Sequence, residues 1–156
     1  MNICATVSRD LPADPDALFE TLVNPQRLPE WNKAITRVID SPAALEPGDQ
    51  WVVEMSALAQ RWPSRSHVKV LDPSTRRFEY TSQSDDGNPS YATWSWVVSE
   101  TSGGSRVSVS WQLNPKTFWR RALLVRVRHH QLMKSEVPIS LAALGAVVSQ
   151  PATHGE

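Results

Sequence analysis

Cysteine is almost missing from this sequence: Cys4 is the single thiol in 156 residues. One thiol cannot close an intramolecular disulfide, and there is no Cys-x-x-Cys pair to begin a metal site. Surplus charge is missing too. Lys plus Arg and Asp plus Glu both number 16, so the formal net charge is zero. A nucleic-acid binder ordinarily carries a basic excess, so nucleic acid is not an expected partner. No apolar run approaches the roughly 18–20 residues that span a bilayer. The first ten residues lack a basic stretch followed by an apolar core. A secretory signal is therefore not expected, and the expected location is the cytoplasm. Reactive signatures are absent as well. There is no Gly-x-Ser-x-Gly, no histidine near Cys4 in sequence, and no Gly-rich phosphate loop, since Gly103-Gly104 reads as a hairpin turn. Histidines are scattered along the chain, so no metal and no cofactor are expected.

What is present is an ordinary globular composition, 40% hydrophobic and 21% charged. A chain of this length can bury a real core without disulfides. It reads as one domain over residues 1–150 with a flexible tail over 151–156. Tryptophan is the exception, with seven copies. Trp is enriched where proteins grip something, but it also fills cores, and composition leaves both readings open.

The pattern along the chain alternates between two periods. Residues 3–9 alternate as a half-buried strand. Asp14 is a helix N-cap, Pro15 suits the first helical position, and Leu18, Phe19, Leu22 and Val23 form an apolar stripe. Asn24-Pro25 ends that helix and starts a second short one, with Trp31 at its exit. Strands are predicted over 34–40, 50–58, 64–71, 76–82, 91–98 and 106–113, separated by turn signals such as Asp72-Pro73-Ser74 and Asp85-Asp86-Gly87-Asn88-Pro89. Short turns between consecutive strands imply an antiparallel meander with one apolar face. Residues 116–149 are helical in period, with a main helix over about 130–149 and a separate or kinked segment over about 116–128. Pro138 should kink or divide the run. The predicted fold class is α+β: an antiparallel sheet of about seven strands, curved round a long C-terminal helix, with two short helices after the first strand.

The stretch Asp16 to Asn32, the Leu45-Glu-Pro-Gly48-Asp-Gln-Trp51 turn, the Val70-Leu-Asp72-Pro73 turn, the Arg106 to Trp111 strand and the Glu136 to Leu144 end resemble SRPBCC (START-like, helix-grip) domains. The similarity is to their polyketide cyclase/dehydrase and lipid-transport group. It covers nearly the whole chain, in order. The resemblance implies a helix-grip fold with an apolar cavity. It carries no universal catalytic motif, and one fold serves carriers, cyclases and co-chaperone domains.

The strand faces put Met55, Phe78, Tyr80, Trp94, Trp96 and Trp111 inward, a set that is aromatic and uncharged. Such walls suit a hydrophobic ligand such as a lipid, polyketide or aromatic metabolite, or else a filled core. Glu54 and Glu79 fall on the outer face, leaving no inward carboxylate pair. His130 falls on the apolar stripe of the C-terminal helix. It is a candidate proton-transfer group beside Tyr80, or a core histidine with one hydrogen bond. His129 should point to solvent. The segment 116–134 interleaves Arg and Lys with Trp119, Leu123 and Val127, so it is either a transient membrane-surface contact or an ordinary solvated face. The expected function is binding of a hydrophobic small molecule between sheet and helix. The alternatives are a cyclase, aromatase or dehydratase using the same cavity, or an interaction module with a filled interior.

Overall fold

The computed structural model describes residues 3–57, 59–85, 89–114 and 126–149. Strand β1 (Ile3–Leu11) leads into α1 (Pro15–Leu22), a 3-10 turn (Pro25–Arg27) and α2 (Leu28–Trp31). Six strands follow: β2 (Ile35–Asp40), β3 (Gln50–Ala57), β4 (Gln60–Asp72), β5 (Arg77–Ser84), β6 (Tyr91–Thr101) and β7 (Gly104–Asn114). Helix α3 spans 126–149. The strands form one antiparallel sheet in the order β1-β7-β6-β5-β4-β3-β2. Each strand after β2 pairs with its predecessor, and β1 closes on the last. The helix-grip expectation therefore holds.

Local chemistry explains the elements. The Asp14 carboxylate accepts from the Ala17 backbone N–H at 3.0 Å, which caps α1 with Pro15 in its first turn. Strand β4 begins at Gln60 instead of the predicted 64. Pro63 reads as a strand breaker, but pairing with β5 starts only at Ser64, so its missing N–H disrupts no ladder on that side. Between Val68 and Val70 the register shifts. Val70 then pairs with Glu79 and Leu71 with Phe78, so Leu71 takes the core-facing place that strict alternation assigns to Val70.

Helix α3 is not divided at Pro138. It contains a π-turn over Leu132–Glu136, closed by the Val137 N–H donating to the Leu132 carbonyl. Pro138 has no N–H to offer the preceding turn, and the wider turn sits immediately before it. The predicted segment over 116–128 falls for the most part outside the described residues, as do Trp119, Leu123, residue 58, the turn residues 86–88 and the tail 151–156. Residues 126–128 are continuous with α3.

Helix α3 packs on α1, α2 and β1. Leu132, Leu141 and Leu144 on it are fully buried. Each such side chain contributes roughly 1.5–3 kcal/mol by leaving water. At Gly145 the helix comes so close to β1 that an added Cβ would lie 2.7 Å from Leu11 Cδ2. The Lys33 backbone N–H donates to Ser140 Oγ at 3.1 Å and ties α3 to the end of α2. No helix among the described residues is long and apolar enough to cross a membrane.

Candidate ligand-binding site

The sheet and α3 do not close completely on each other. A cavity of about 390 Å³ lies between them, within the roughly 300–1,000 Å³ typical of small-molecule sites. Strand alternation supplies its walls. Trp51, Val53 and Met55 come from β3, Phe78 and Tyr80 from β5, Trp94 and Trp96 from β6. The rings lean on one another. Trp51 lies 4.8 Å from Tyr80, Phe78 lies 5.0 Å from Tyr80, and Trp31 meets Trp96 edge-on at 5.6 Å. Edge-to-face and tilted contacts of this kind fix ring orientation and add stability beyond area burial.

Polar groups stand out in three places of a lining that also includes Asn32, Gln60, Gln83, Ser90, Asn114 and Ser140. The Trp96 indole N–H donates to Tyr80 Oη at 3.4 Å, so the Tyr80 hydroxyl keeps its own proton to give. Burial pushes the Tyr80 phenol well above its ordinary range, against the Trp96 hydrogen bond, and the charge of Glu136 pushes it further up. The phenol is held neutral. The second place is on α3. Arg128 donates through both terminal nitrogens to the Glu136 carboxylate, one bond at 3.0 Å, and also to Gln131 at 2.9 Å. Both partners line the cavity, and their side chains are only 18% and 9% exposed. The third is a group of serines on β4 and β5, with Ser64 opposite Ser84 and Ser66 opposite Ser82. All four line the cavity. Among the described residues, no group of three or more His, Cys, Asp or Glu gathers as a metal site.

An open aromatic cavity under a helix gripped by a seven-stranded sheet is the setting for the comparisons with known proteins. The sequence matches the family described as polyketide cyclase / dehydrase and lipid transport over residues 2–148. The chain belongs to that family. No curated protein matches it in sequence. Solved structures share the SRPBCC-type fold. Protein CV1439 from Chromobacterium violaceum is 21% identical with a TM-score of 0.70, covering 95% of this chain and 98% of its own. Ara h 8.0201 is 18% identical with a TM-score of 0.71, covering 96% and 100%. The di-domain ARO/CYC StfQ from the steffimycin biosynthetic pathway is 11% identical with a TM-score of 0.76, covering 96% of this chain and 51% of its own. At these identities the likeness concerns fold alone.

In this polyketide cyclase/dehydrase-family chain, Met55, Phe78, Tyr80, Trp94 and Trp96 line the cavity. Two other candidates from the sequence do not. Trp111 sits behind Trp94 at a ring separation of 5.8 Å and is fully buried. Its position on β7, directly opposite Trp94, puts it in the core and off the cavity wall. His130 is exposed. His129 faces the sheet in its place, and its Nδ1 accepts from the Trp111 indole N–H at 3.3 Å.

The π-turn explains the exchange of histidines. An uninterrupted α-helix would carry the face of Val137 back through residues 134, 130 and 127. The π-turn inserts one residue, which rotates everything before it by about 100°. Leu132 is buried, while Met133 and Val127 are 39% and 42% exposed. The same rotation brings Arg128 and Glu136 onto one face. Eight α-helical residues leave two side chains about 80° apart, and one π residue returns them to near alignment.

Sequence reasoning missed four kinds of residue. Trp51 shares the strand face of Met55, so period two alone could have found it. Ser64 and Ser66 lie on the face assigned to Val68, but serines read as neutral in an apolar pattern. Trp31 was recognised only as a helix exit. It is 1% exposed, lines the cavity, and its indole N–H has no hydrogen-bond partner among the described residues. Arg128 was read as part of a basic surface and Glu136 only as part of a family resemblance, and no sequence signal pairs them without the π-turn.

Proposed function

We propose that this chain binds a hydrophobic small molecule in the cavity between β3–β6 and α3. The observation that carries the reading is a cavity of about 390 Å³ walled by tryptophan, tyrosine, phenylalanine and methionine. Pockets that hold small ligands are concave and apolar with a few placed polar groups, and this one has that composition. An open interior also counts against an interaction module, which needs no cavity. Family membership supports a hydrophobic ligand without naming it.

Trp94 is the residue to test. It is half-buried, forms part of the wall, and is anchored by its N–H donating to Ser82 at 3.1 Å. Trp94→Arg puts a long charged side chain into the cavity with an escape to water. In native mass spectrometry of gently purified protein, the wild type should carry an added mass that denaturation removes. The Trp94→Arg protein should be folded and lack it. An unchanged added mass in that variant would place the ligand elsewhere.

A second reading, a cyclase, aromatase or dehydratase acting in the same cavity, has one observation in its favour. The Tyr80 hydroxyl lines the cavity with its proton free to donate, and Glu136 lines the same cavity. A neutral phenol can donate a hydrogen bond to a carbonyl oxygen and stabilise the charge that develops there as a chain folds over it. His130, being exposed, has no part in that arrangement.

A further inference from the structure

Helix α3 lines the cavity with one face and presents the other to solvent. Over Val137–Ser149 it holds no charged residue on any side. A helix apolar all round is ordinarily enclosed on every side. Here Ile139 is 51% exposed, and Ala142 and Ala146 are exposed on the turns that follow. Three of the six exposed large hydrophobic side chains among the described residues lie on this one helix: Val127, Met133 and Ile139. The charges on the exposed side have one sign. Arg126 and Lys134 are exposed, and neither joins an ion pair among the described residues. The one acid of residues 126–149, Glu136, is turned inward by the π-turn and is taken up by Arg128.

We propose that the outer face of α3 docks on an anionic membrane surface. Apolar side chains set among basic ones, with no acid between them, fit a surface with negative headgroups over a hydrocarbon interior. Val127, Met133 and Ile139 enter the boundary between headgroups and acyl chains, while Arg126 and Lys134 meet the lipid anions. Helix α3 is not long and apolar enough to cross a bilayer, so the contact lies in the plane of its surface. A second copy of the chain fits this face less well. Packing two such faces together gathers like charges into one small interface with no acid to meet them. The inner face of the same helix is a wall of the cavity, so a hydrophobic molecule held in the bilayer lies one helix away from it. Docking itself does not depend on what the cavity holds.

The test is sedimentation of the full chain with vesicles of two compositions, pure phosphatidylcholine and an equimolar mixture of phosphatidylcholine and phosphatidylserine. The wild type should partition onto the mixed vesicles about tenfold or more above the neutral ones, and added salt should erase most of that difference. Arg126→Glu/Lys134→Glu should remove the preference for the mixed vesicles. Ile139→Asp should weaken binding to them by about tenfold. Both variants alter exposed side chains, and unchanged circular dichroism and urea midpoints show that they fold. Lys69→Glu, on an exposed residue of β4, should leave binding within about threefold of wild type. If the wild type binds neither vesicle, or both alike, the docking proposal is wrong. It is equally wrong if Lys69→Glu weakens binding as much as the α3 variants, since net charge and not this face would then be responsible. A wild type that dimerises in light scattering, and that Ile139→Asp returns to monomer, would assign the face to a second copy and overturn the proposal. The cavity reading has its own test in Trp94→Arg and survives each of these failures.

Discussion

The two walls of the cavity are made of different materials. On the sheet side the lining side chains are aromatic, aliphatic or neutral polar, and each is held by neighbours across the strands. On the helix side stand the charged members of the lining, Arg128 and Glu136, paired with each other. The sheet fixes its side chains by register, which the ladder of backbone bonds enforces along its whole length. The helix fixes its own by phase, and a single π-turn resets that phase. One wall is therefore robust to a local change. The other depends on one turn and one ion pair.

Breaking the ion pair should show the larger effect. Glu136→Ala leaves the Arg128 guanidinium, 18% exposed, without its carboxylate. Removing one member of a mostly buried pair costs about 3 kcal/mol, because the other charge remains desolvated. The double change Arg128→Met/Glu136→Leu should recover most of that loss, since two apolar side chains of similar volume need no partners. Urea unfolding of the three proteins checks both. A Glu136→Ala protein within about 0.5 kcal/mol of wild type would mean that charge does not hold the helix wall.

The neutrality of the sheet wall has a pH signature. Burial raises the Tyr80 pKa, so the folded protein keeps that proton where the unfolded chain has lost it. Stability from this group is complete below about pH 10 and is lost as pH rises beyond it. The chain has two tyrosines, so a Tyr91→Phe protein retains Tyr80 alone. Its phenolate absorbance should appear only together with the loss of folded structure. Tyr80→Phe should flatten the alkaline fall in stability. A phenolate forming in a still-folded Tyr91→Phe protein would show that the wall tolerates charge.

The same contrast decides what the sequence could reveal. Period-two alternation placed Phe78, Tyr80, Trp94 and Trp96 on the inner face without knowledge of any partner, because a strand's side chains alternate whatever lies beside it. It failed at Val70, where a bulge changes the count by one, and at Val52, which is buried although it alternates with Trp51 and Val53. The strands and the antiparallel meander were legible for that reason, whereas the place of β1 beside β7 was not. On α3 the period is 3.6, so one inserted residue misplaces every side chain before it. Pro138 marks the neighbourhood of a disturbance, but a kink, a break and a π-turn all satisfy a proline. Only the π-turn turns His130 outward and brings Arg128 over Glu136. Ser64 and Ser66 were legible in position and not in meaning, since a strand pattern does not show whether a cavity lies beside a hydroxyl.

The smallest effect falls where the two walls meet, at Trp111 on β7 and His129 on α3. His129→Leu keeps helix propensity and apolar bulk but removes the acceptor of the buried Trp111 N–H. Leaving that donor unpaired should cost about 1 kcal/mol. His130→Leu, on an exposed residue one position along, should stay within about 0.5 kcal/mol. The Trp111 indole N–H resonance should move in the first protein and hold still in the second. If His130→Leu is instead the costlier change, α3 runs in unbroken α-helical phase in solution. In that case Arg128 would not face Glu136, and the helix wall would be apolar like the sheet.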